Sequence, residues 1–199
     1  MNGQINLDSQ AGKCIYDLCK QDDVSIIVEI GTWNGCGSTK CVTEAISGTD
    51  KQIISVEADQ SMYLTAINVH KDNNNIAIIN GYVTDKTINF DDLGDEYFTD
   101  YDRATKKKWL DEDIKNIKNS NCCLDKIPQK IDLLILDGGE FNGYFDFKTL
   151  YNRAKYIFLD DTRPPCIKNY QSVKDLKITH KCLIDSDDRN GFALFVVNE

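Results

Sequence analysis

The sequence has too little positive charge to favour a polyanionic partner. Its 199 residues include 23 lysines and arginines against 32 aspartates and glutamates, a net charge of −9. Such a chain repels nucleic acid and anionic lipid, so we expect no nucleic-acid partner and no membrane partner. The longest apolar runs, such as 192–197, fall far short of the roughly 18 residues of a membrane span. The polar residues 1–4 lack a signal-peptide profile, and we expect a cytoplasmic protein.

Paired cysteine ligands and domain linkers are also missing. Eight cysteines are scattered along the chain rather than set in Cys-x-x-Cys pairs, so we expect reduced thiols. A metal cluster of Cys14, Cys19, Cys36 and Cys41 is the alternative, and its five-residue steps fit zinc-site spacing poorly. With only 3 prolines and no Pro-, Ser- or Gly-rich linker, we predict a single domain over residues 1–199.

Short β-branched segments alternate with helical patterns. Strands are predicted over 25–30, 52–57, 75–79, 131–136 and 156–160, and helices over 8–20, 37–47 and 60–71. This order predicts an α/β fold with a mostly parallel sheet. Two final strands, 178–184 and 192–197, flank an Asn-Gly pair that is typical of a hairpin, so the last two of seven strands should be antiparallel.

A long polar connection, 82–130, separates the third and fourth predicted strands and includes a predicted helix over 109–117. Connections of this length are uncommon in compact domains. A segment of this kind near strand ends can act as a lid or substrate platform. Its runs of charge are more often simply a solvated surface.

The segment 28–38 is an apolar strand that ends in an acid and passes through three glycines into a helix. Glycines allow a positive φ and close backbone approach, and a helix start offers free amides to an anionic group. The spacing of Gly31, Gly35 and Gly37 differs from the dinucleotide pattern G-x-G-x-x-G, which makes a nicotinamide cofactor the weaker alternative. Glu57 ends the next strand, where a carboxylate can accept hydrogen bonds from ribose hydroxyls. The pattern predicts a ligand that contains a nucleoside; the alternative is an ordinary tight turn.

Glu29-Ile30-Gly31 with Gly35, followed by 55–59 (Ser-Val-Glu-Ala-Asp), resembles the S-adenosylmethionine site of class I methyltransferases. The strand order with its final antiparallel hairpin is similar to their Rossmann-like fold, and the resemblance covers nearly the whole chain. It implies that Glu29 approaches the methionine amino group, that the turn faces the methionine moiety and that Glu57 holds the ribose. The cofactor-binding residues expected on this basis are Glu29, Gly31, Trp33, Asn34, Gly35, Ser38, Glu57, Ala58, Gly81 and Tyr82. For Trp33, a role as buried anchor of the first helix is the alternative.

Carboxylates also end the fourth and fifth predicted strands. Asp137 follows one, and Asp160 and Asp161 follow the other, so adjacent strands should bring all three together. Like charges at close range repel and raise one another's pKa, so the cluster requires a cation. An all-oxygen set suits Mg²⁺, Mn²⁺ or Ca²⁺. The alternative is ordinary turn chemistry, since Asp favours strand-end turns.

This pattern is similar to two groups of metal-dependent O-methyltransferases, the catechol type and the macrocin and novobiocin sugar type. The pair Asp160-Asp161 matches the sugar type. The resemblance implies a general base three residues after Asp137, where those groups can carry Lys or His and this chain carries Glu140. Because Glu ordinarily titrates well below Lys or His, Glu140 would depend on the metal to acidify the hydroxyl. Asp137 and Glu140 are thus the expected catalytic residues.

These features together predict an S-adenosylmethionine-dependent O-methyltransferase with a divalent cation as second cofactor. Vicinal hydroxyls on a metal fit a sugar or a catechol, and the expected acceptor is a hydroxyl of a sugar or glycan, because of the pair Asp160-Asp161 and because no additional domain for a protein or RNA acceptor is evident. A catechol-like small-molecule O-methyltransferase is the nearest alternative. An NAD-dependent oxidoreductase and a non-catalytic nucleoside-binding domain are the alternatives from other classes.

Overall fold

Seven strands form one sheet in the computed structural model, which describes residues 5–198 and leaves out the first four residues that carry the signal-peptide argument. The strands are β1 (Ile26–Ile30), β2 (Gln52–Glu57), β3 (Ile76–Asn80), β4 (Ile131–Leu136), β5 (Ala154–Asp160), β6 (His180–Ser186) and β7 (Phe192–Val197). Their order is β3-β2-β1-β4-β5-β7-β6, and β7 runs in the opposite direction to the other six strands. The predicted α/β fold class, with its antiparallel C-terminal hairpin, is confirmed.

Helices cover both faces of this sheet. They are α1 (Gln10–Cys19), α2 (Ser38–Ala45), α3 (Gln60–Val69), α4 (Arg103–Asn119), α5 (Gly143–Leu150) and α6 (Tyr170–Thr179). Side-chain caps fix several starts: Ser9 Oγ accepts from the amide of Gly12 at 3.0 Å, and Asp102 accepts from the amide of Thr105 at 2.7 Å. Within residues 5–198, none of these helices has the length and apolarity needed to cross a bilayer.

The three helices predicted in the first half of the chain are confirmed with slightly shorter bounds, whereas α5 and α6 were not predicted. The strand predicted over 178–184 is wrong at its start, because α6 continues to Thr179. Val173 and Leu176 are buried at helical spacing, while the β-branched Ile178 is 84% exposed. Packing of the helix on the sheet therefore outweighs the strand propensity of its last turn.

The core lies in two layers, one on each face of the sheet. In β4, Leu133 and Ile135 pack with α1 and α2, while Leu134 and Leu136 face the layer that includes Phe147 of α5. Successive side chains of a strand point to opposite faces, so a strand covered on both sides has an almost continuous apolar sequence. This burial fixes the register that aligns the carboxyl ends of the four central strands.

The connection 82–130 lies against that carboxyl edge. It contributes Phe90, Leu93 and Leu110 to a small apolar cluster completed by Phe141 and Ile167. The helix predicted over 109–117 is present as α4, which starts earlier because of its cap at Asp102. The connection is therefore an anchored layer of the structure as well as a charged surface.

Replacing Gly31 by alanine is expected to destabilise the fold strongly. Gly31 has φ +101°, and an added Cβ would lie 2.2 Å from the backbone oxygen of Asp137, so β1 and β4 could not keep their spacing. We expect a loss of at least about 3 kcal/mol in the free energy of unfolding, measured by urea denaturation. Gly48→Ala is the matched control, because Gly48 has φ +74° and open space around it; it should lose only about 1 kcal/mol. Equal losses in the two variants would contradict this account.

Candidate active site

A cavity of about 540 Å³ opens at the carboxyl edge of the sheet, between the strand ends and α4. Its volume lies in the range of small-molecule sites. Ten residues expected from the sequence line it: Gly31, Trp33, Ser38, Glu57, Ala58, Gly81, Tyr82, Asp137, Asp160 and Asp161. Four expected residues lie outside the lining: Glu29, Asn34, Gly35 and Glu140.

The glycine turn after β1 forms one wall of the cavity. Trp33 has φ +48° and its side chain is 43% exposed, so the interpretation as a buried anchor is wrong. Asn34 and Gly35 shape the turn from behind: Asn34 Oδ1 accepts from the amide of Cys36 at 3.0 Å, and His70 Nε2 lies 2.7 Å from the carbonyl oxygen of Gly35. The turn is therefore held to α3 by a hydrogen bond that the sequence did not predict.

Glu29 lies beneath this turn and is fully buried. Its carboxylate accepts hydrogen bonds from Ser38 Oγ at 2.6 Å, Thr39 Oγ1 at 2.7 Å and Ser55 Oγ at 2.5 Å. Burial raises the pKa of Glu29 to about 7, although the three hydroxyls act in the opposite direction. Glu29 reaches the cavity only through Ser38, which lines it. The residue thus holds β1, β2 and the start of α2 together below the turn.

Glu57 has a fixed carboxylate that faces the cavity. Its two oxygens accept from the backbone amides of Trp33 at 2.6 Å and Asp59 at 2.8 Å. Burial raises the pKa of Glu57 to about 7, against the effect of these amides. Because each carboxylate oxygen has a second lone pair, Glu57 can still accept hydrogen bonds from a bound molecule.

The structure brings Asp137, Asp160 and Asp161 together, with one oxygen of each within 4.8 Å of the others. Two cationic side chains that sequence reasoning missed already contact them. Lys168 Nζ lies 2.9 Å from Asp137 Oδ1 and 2.8 Å from Asp161 Oδ2. Arg189 Nη2 lies 3.0 Å from Asp160 Oδ2. No spacing rule links a lysine after β5 or an arginine in the final hairpin to these acids, so the sequence alone had no signal for them.

The pKa shifts in this ionic cluster follow from burial and from these contacts. Burial acts to lower the pKa of Lys168, but the carboxylates of Asp137 and Asp161 outweigh it and hold that pKa well above its ordinary value. Burial and the nearby Asp137 raise the pKa of Asp160. For Asp161, burial is outweighed by Lys168, and its pKa is lowered. Lys168 is therefore a permanent cation among these acids.

The donor set suits a divalent ion, but the charges around it do not. The three carboxylates carry at most three negative charges, and Lys168 and Arg189 add two positive charges beside them. An ion bound to all three acids would lie beside the Lys168 ammonium or displace it, at a large electrostatic cost. The residues in this arrangement do not fit a resident divalent ion. Lys168 and Arg189 already supply the positive charge for which a metal was expected.

Further acceptors line the cavity near the end of β4. They are Asp113 of α4, Asn142 immediately before α5 and Asp146 of α5. Burial raises the pKa of Asp113 to about 6 and that of Asp146 well above its ordinary value. Among the residues that the structure describes, Asn142 Oδ1 and both oxygens of Asp146 are buried without a hydrogen-bond partner. Glu140 lies outside the cavity, where its Oε1 accepts from the amide of Ile167 at 2.9 Å.

Glu29→Gln is expected to weaken the pH dependence of folding stability. The folded protein binds the Glu29 proton more tightly than the unfolded chain does. Protonation of Glu29 therefore stabilises the fold fully below about pH 4.5, and this stabilisation is lost as the pH rises through about 7. Across that window, wild type should lose on the order of 2 kcal/mol more stability than the variant, measured by urea denaturation at each pH. Glu44→Gln, an exposed site on α2, is the control and should track wild type. Parallel curves for wild type and Glu29→Gln would contradict the assignment.

Comparisons with known proteins identify the fold. No protein-family model and no curated protein sequence matches the chain. An O-methyltransferase from Bacillus cereus, solved in complex with SAH, gives a TM-score of 0.62 with 14% identity, over 98% of this chain and 84% of that one. A methyltransferase from Geobacter sulfurreducens gives 0.60 with 17% identity, over 98% and 81%. TomG, an O-methyltransferase from Streptomyces achromogenes involved in tomaymycin synthesis and solved with SAM, gives 0.54 with 14% identity, over 94% and 79%. The chain therefore has the Rossmann-like fold of the class I methyltransferases, as the sequence resemblance implies.

Proposed function

We propose that this protein transfers the methyl group of S-adenosylmethionine to a hydroxyl oxygen of a small-molecule acceptor. The observation that carries the proposal is the continuity of the cavity, which runs from the glycine turn and Glu57 to the ionic cluster at Asp137. Similar solved structures hold SAH or SAM, and their names describe O-methyltransferases. A donor site and an acceptor site that share one cavity allow direct transfer between two bound molecules.

The half of the cavity next to β1 and β2 fits the donor. Gly31 and Trp33 of the turn line this half, so the backbone of the turn is open to a ligand. Glu57 presents a carboxylate for two ribose hydroxyls, and Gly81 and Tyr82 line the wall beyond it. When bound, S-adenosylmethionine supplies an activated methyl group on a positively charged sulfur. The residues of this half therefore have to bind and orient, and no chemical step is required of them.

The half next to β4 and β5 fits the acceptor. Its side chains must hold a hydroxyl oxygen in line with the methyl group and keep water out. In the transfer a carbon–sulfur bond breaks, a carbon–oxygen bond forms, and the hydroxyl proton passes to a cavity carboxylate, for which we propose Asp137. Glu140 is expected to act as a positioning residue, because it holds the backbone at Ile167 and lies outside the cavity.

A polyhydroxylated acceptor, such as a sugar or glycan unit, fits the chemistry of this half best. Asn142 and Asp146 present buried oxygens without partners among the described residues, and Asp113 adds a further carboxylate. Several hydroxyl donors on one molecule would satisfy such acceptors, whereas an apolar acceptor would leave them unpaired. We propose that 82–130, which supplies α4 to the cavity wall, serves as the acceptor platform. A catechol-like acceptor is the second candidate, because it also offers adjacent hydroxyls.

The first test is a calorimetric titration of metal-stripped protein with S-adenosylmethionine, with NAD as control ligand. We expect saturable one-to-one binding of S-adenosylmethionine alone. Mass spectrometry after incubation with isotopically labelled donor and a panel of sugars and catechols would then identify the methylated class. Tighter binding of NAD would favour an oxidoreductase, and donor binding without transfer to any acceptor would favour a non-catalytic nucleoside-binding domain.

Glu57→Gln is expected to weaken donor binding and to remove its pH dependence. The neutral amide cannot accept two ribose hydroxyls as a carboxylate does, so we expect about a tenfold or greater loss of affinity at about pH 8. Because burial raises the Glu57 pKa to about 7, wild type should lose most of that advantage at about pH 6. Both proteins bind the same ligand, so any effect of ligand protonation cancels in the ratio of wild-type to variant affinity. A ratio that stays constant between these pH values would remove Glu57 from the ribose site.

A further inference from the structure

The surrounding structure fixes the position of Lys168. It is only 6% exposed, and its ammonium bridges acids that follow two adjacent strands. Gly143 opens α5 beside it, and a Cβ at Gly143 would come within 2.7 Å of Lys168 Cγ. The absence of a side chain at Gly143 therefore makes room for the aliphatic part of the lysine.

Both sequence neighbours of Lys168 are fixed to the strand ends. Glu140 accepts from the backbone amide of Ile167 at 2.9 Å. Asn169 is fully buried, and its Nδ2 donates to the carbonyl oxygens of Leu136 at 3.0 Å and Asp160 at 2.7 Å. Hydrogen bonds on either side thus set the backbone from which Lys168 extends toward the acids, independently of the ion pairs themselves.

We propose that Lys168 is the resident cation of the acid cluster, so that methyl transfer here proceeds without a divalent metal. The proposal rests on the proposed function for its catalytic part. An ammonium has three N–H donors, and the hydrogen bonds described for Lys168 use two of them, to Asp137 and Asp161. Lys168 also lines the cavity, so its third donor is available to an acceptor oxygen.

In this arrangement the lysine holds the acceptor and stabilises the transfer. Its remaining N–H donates to the hydroxyl oxygen and favours the negative charge that develops as the proton moves to Asp137. The new carbon–oxygen bond forms on that oxygen, and no oxidant, reductant or further reactant is needed. A fixed ammonium therefore performs the two tasks expected of a metal, which are orientation of the oxygen and stabilisation of its charge.

The test is a titration of metal-stripped protein with Mn²⁺, in which electron paramagnetic resonance measures the ion that remains free. Lys168→Met should create a metal site, because it removes the competing ammonium from acids whose oxygens already lie close together. We expect Lys168→Met to bind one Mn²⁺ about 100-fold or more tightly than wild type. Adding Asp137→Asn to Lys168→Met should abolish that site.

Lys106→Met is the matched control. Lys106 is another buried lysine, 1% exposed, which pairs with Asp100 and donates to the carbonyl oxygen of Pro165. It does not contact the three acids, so its removal should leave Mn²⁺ binding at the wild-type level. A stoichiometric, tight Mn²⁺ site in wild type that Asp137→Asn removes would overturn the proposal, and this result needs no Lys168 variant to fold.

Activity gives the second measurement. With chelator present, wild type should retain its methyl transfer, Lys168→Met should lose about 100-fold or more, and Lys168→Arg should recover part of that loss. Loss of wild-type activity in chelator, restored by Mg²⁺, would overturn the proposal. Failure of the proposed function would appear separately, as an absence of S-adenosylmethionine binding. The Mn²⁺ titration would still test whether Lys168 takes the place of a metal ion.

Discussion

Repulsion between carboxylates at one edge of the sheet is the constraint on which the rest of the structure depends. Parallel strands that end together bring their last residues together, and here those residues include several acids. Glu29 and Asp160 are buried at this edge, and Glu57 is half-buried. A buried carboxylate is costly without a partner, and around these acids the local structure differs according to which partner each one has.

Three kinds of partner are used. Glu29 is held by side-chain hydroxyls, Glu57 by backbone amides and the Asp137 cluster by cationic side chains. Hydroxyls and amides leave the charge in place and orient it, which suits supporting the turn and presenting oxygens to a ligand. Full ion pairs neutralise most of the charge, which under the proposed function suits the approach of a neutral hydroxyl. The choice of partner thus distinguishes the side of the cavity at Glu57 from the side at Asp137.

Much of this arrangement could be predicted from the sequence, because it depends on periodicity and on strand ends. The apolar runs predict the parallel strands, and the position of acids at the strand ends predicts that Glu57 and Asp137 line the cavity. Lys168 could not be predicted, since it comes from a loop whose path is set by hydrogen bonds of Glu140 and Asn169. The start of β6 was mispredicted because burial of one face of α6 decided where the helix ends. Contacts between distant segments, rather than local pattern, account for both cases.

The small apolar cluster under the connection joins the connection to the two segments that carry Glu140 and Lys168. Phe90, Leu93 and Leu110 of the connection pack on Phe141 and Ile167, which adjoin Glu140 and Lys168 in the chain. Movement of the connection away from the sheet would separate this cluster. The position of α4 on the cavity wall and the position of Lys168 among the acids are therefore coupled through five apolar side chains.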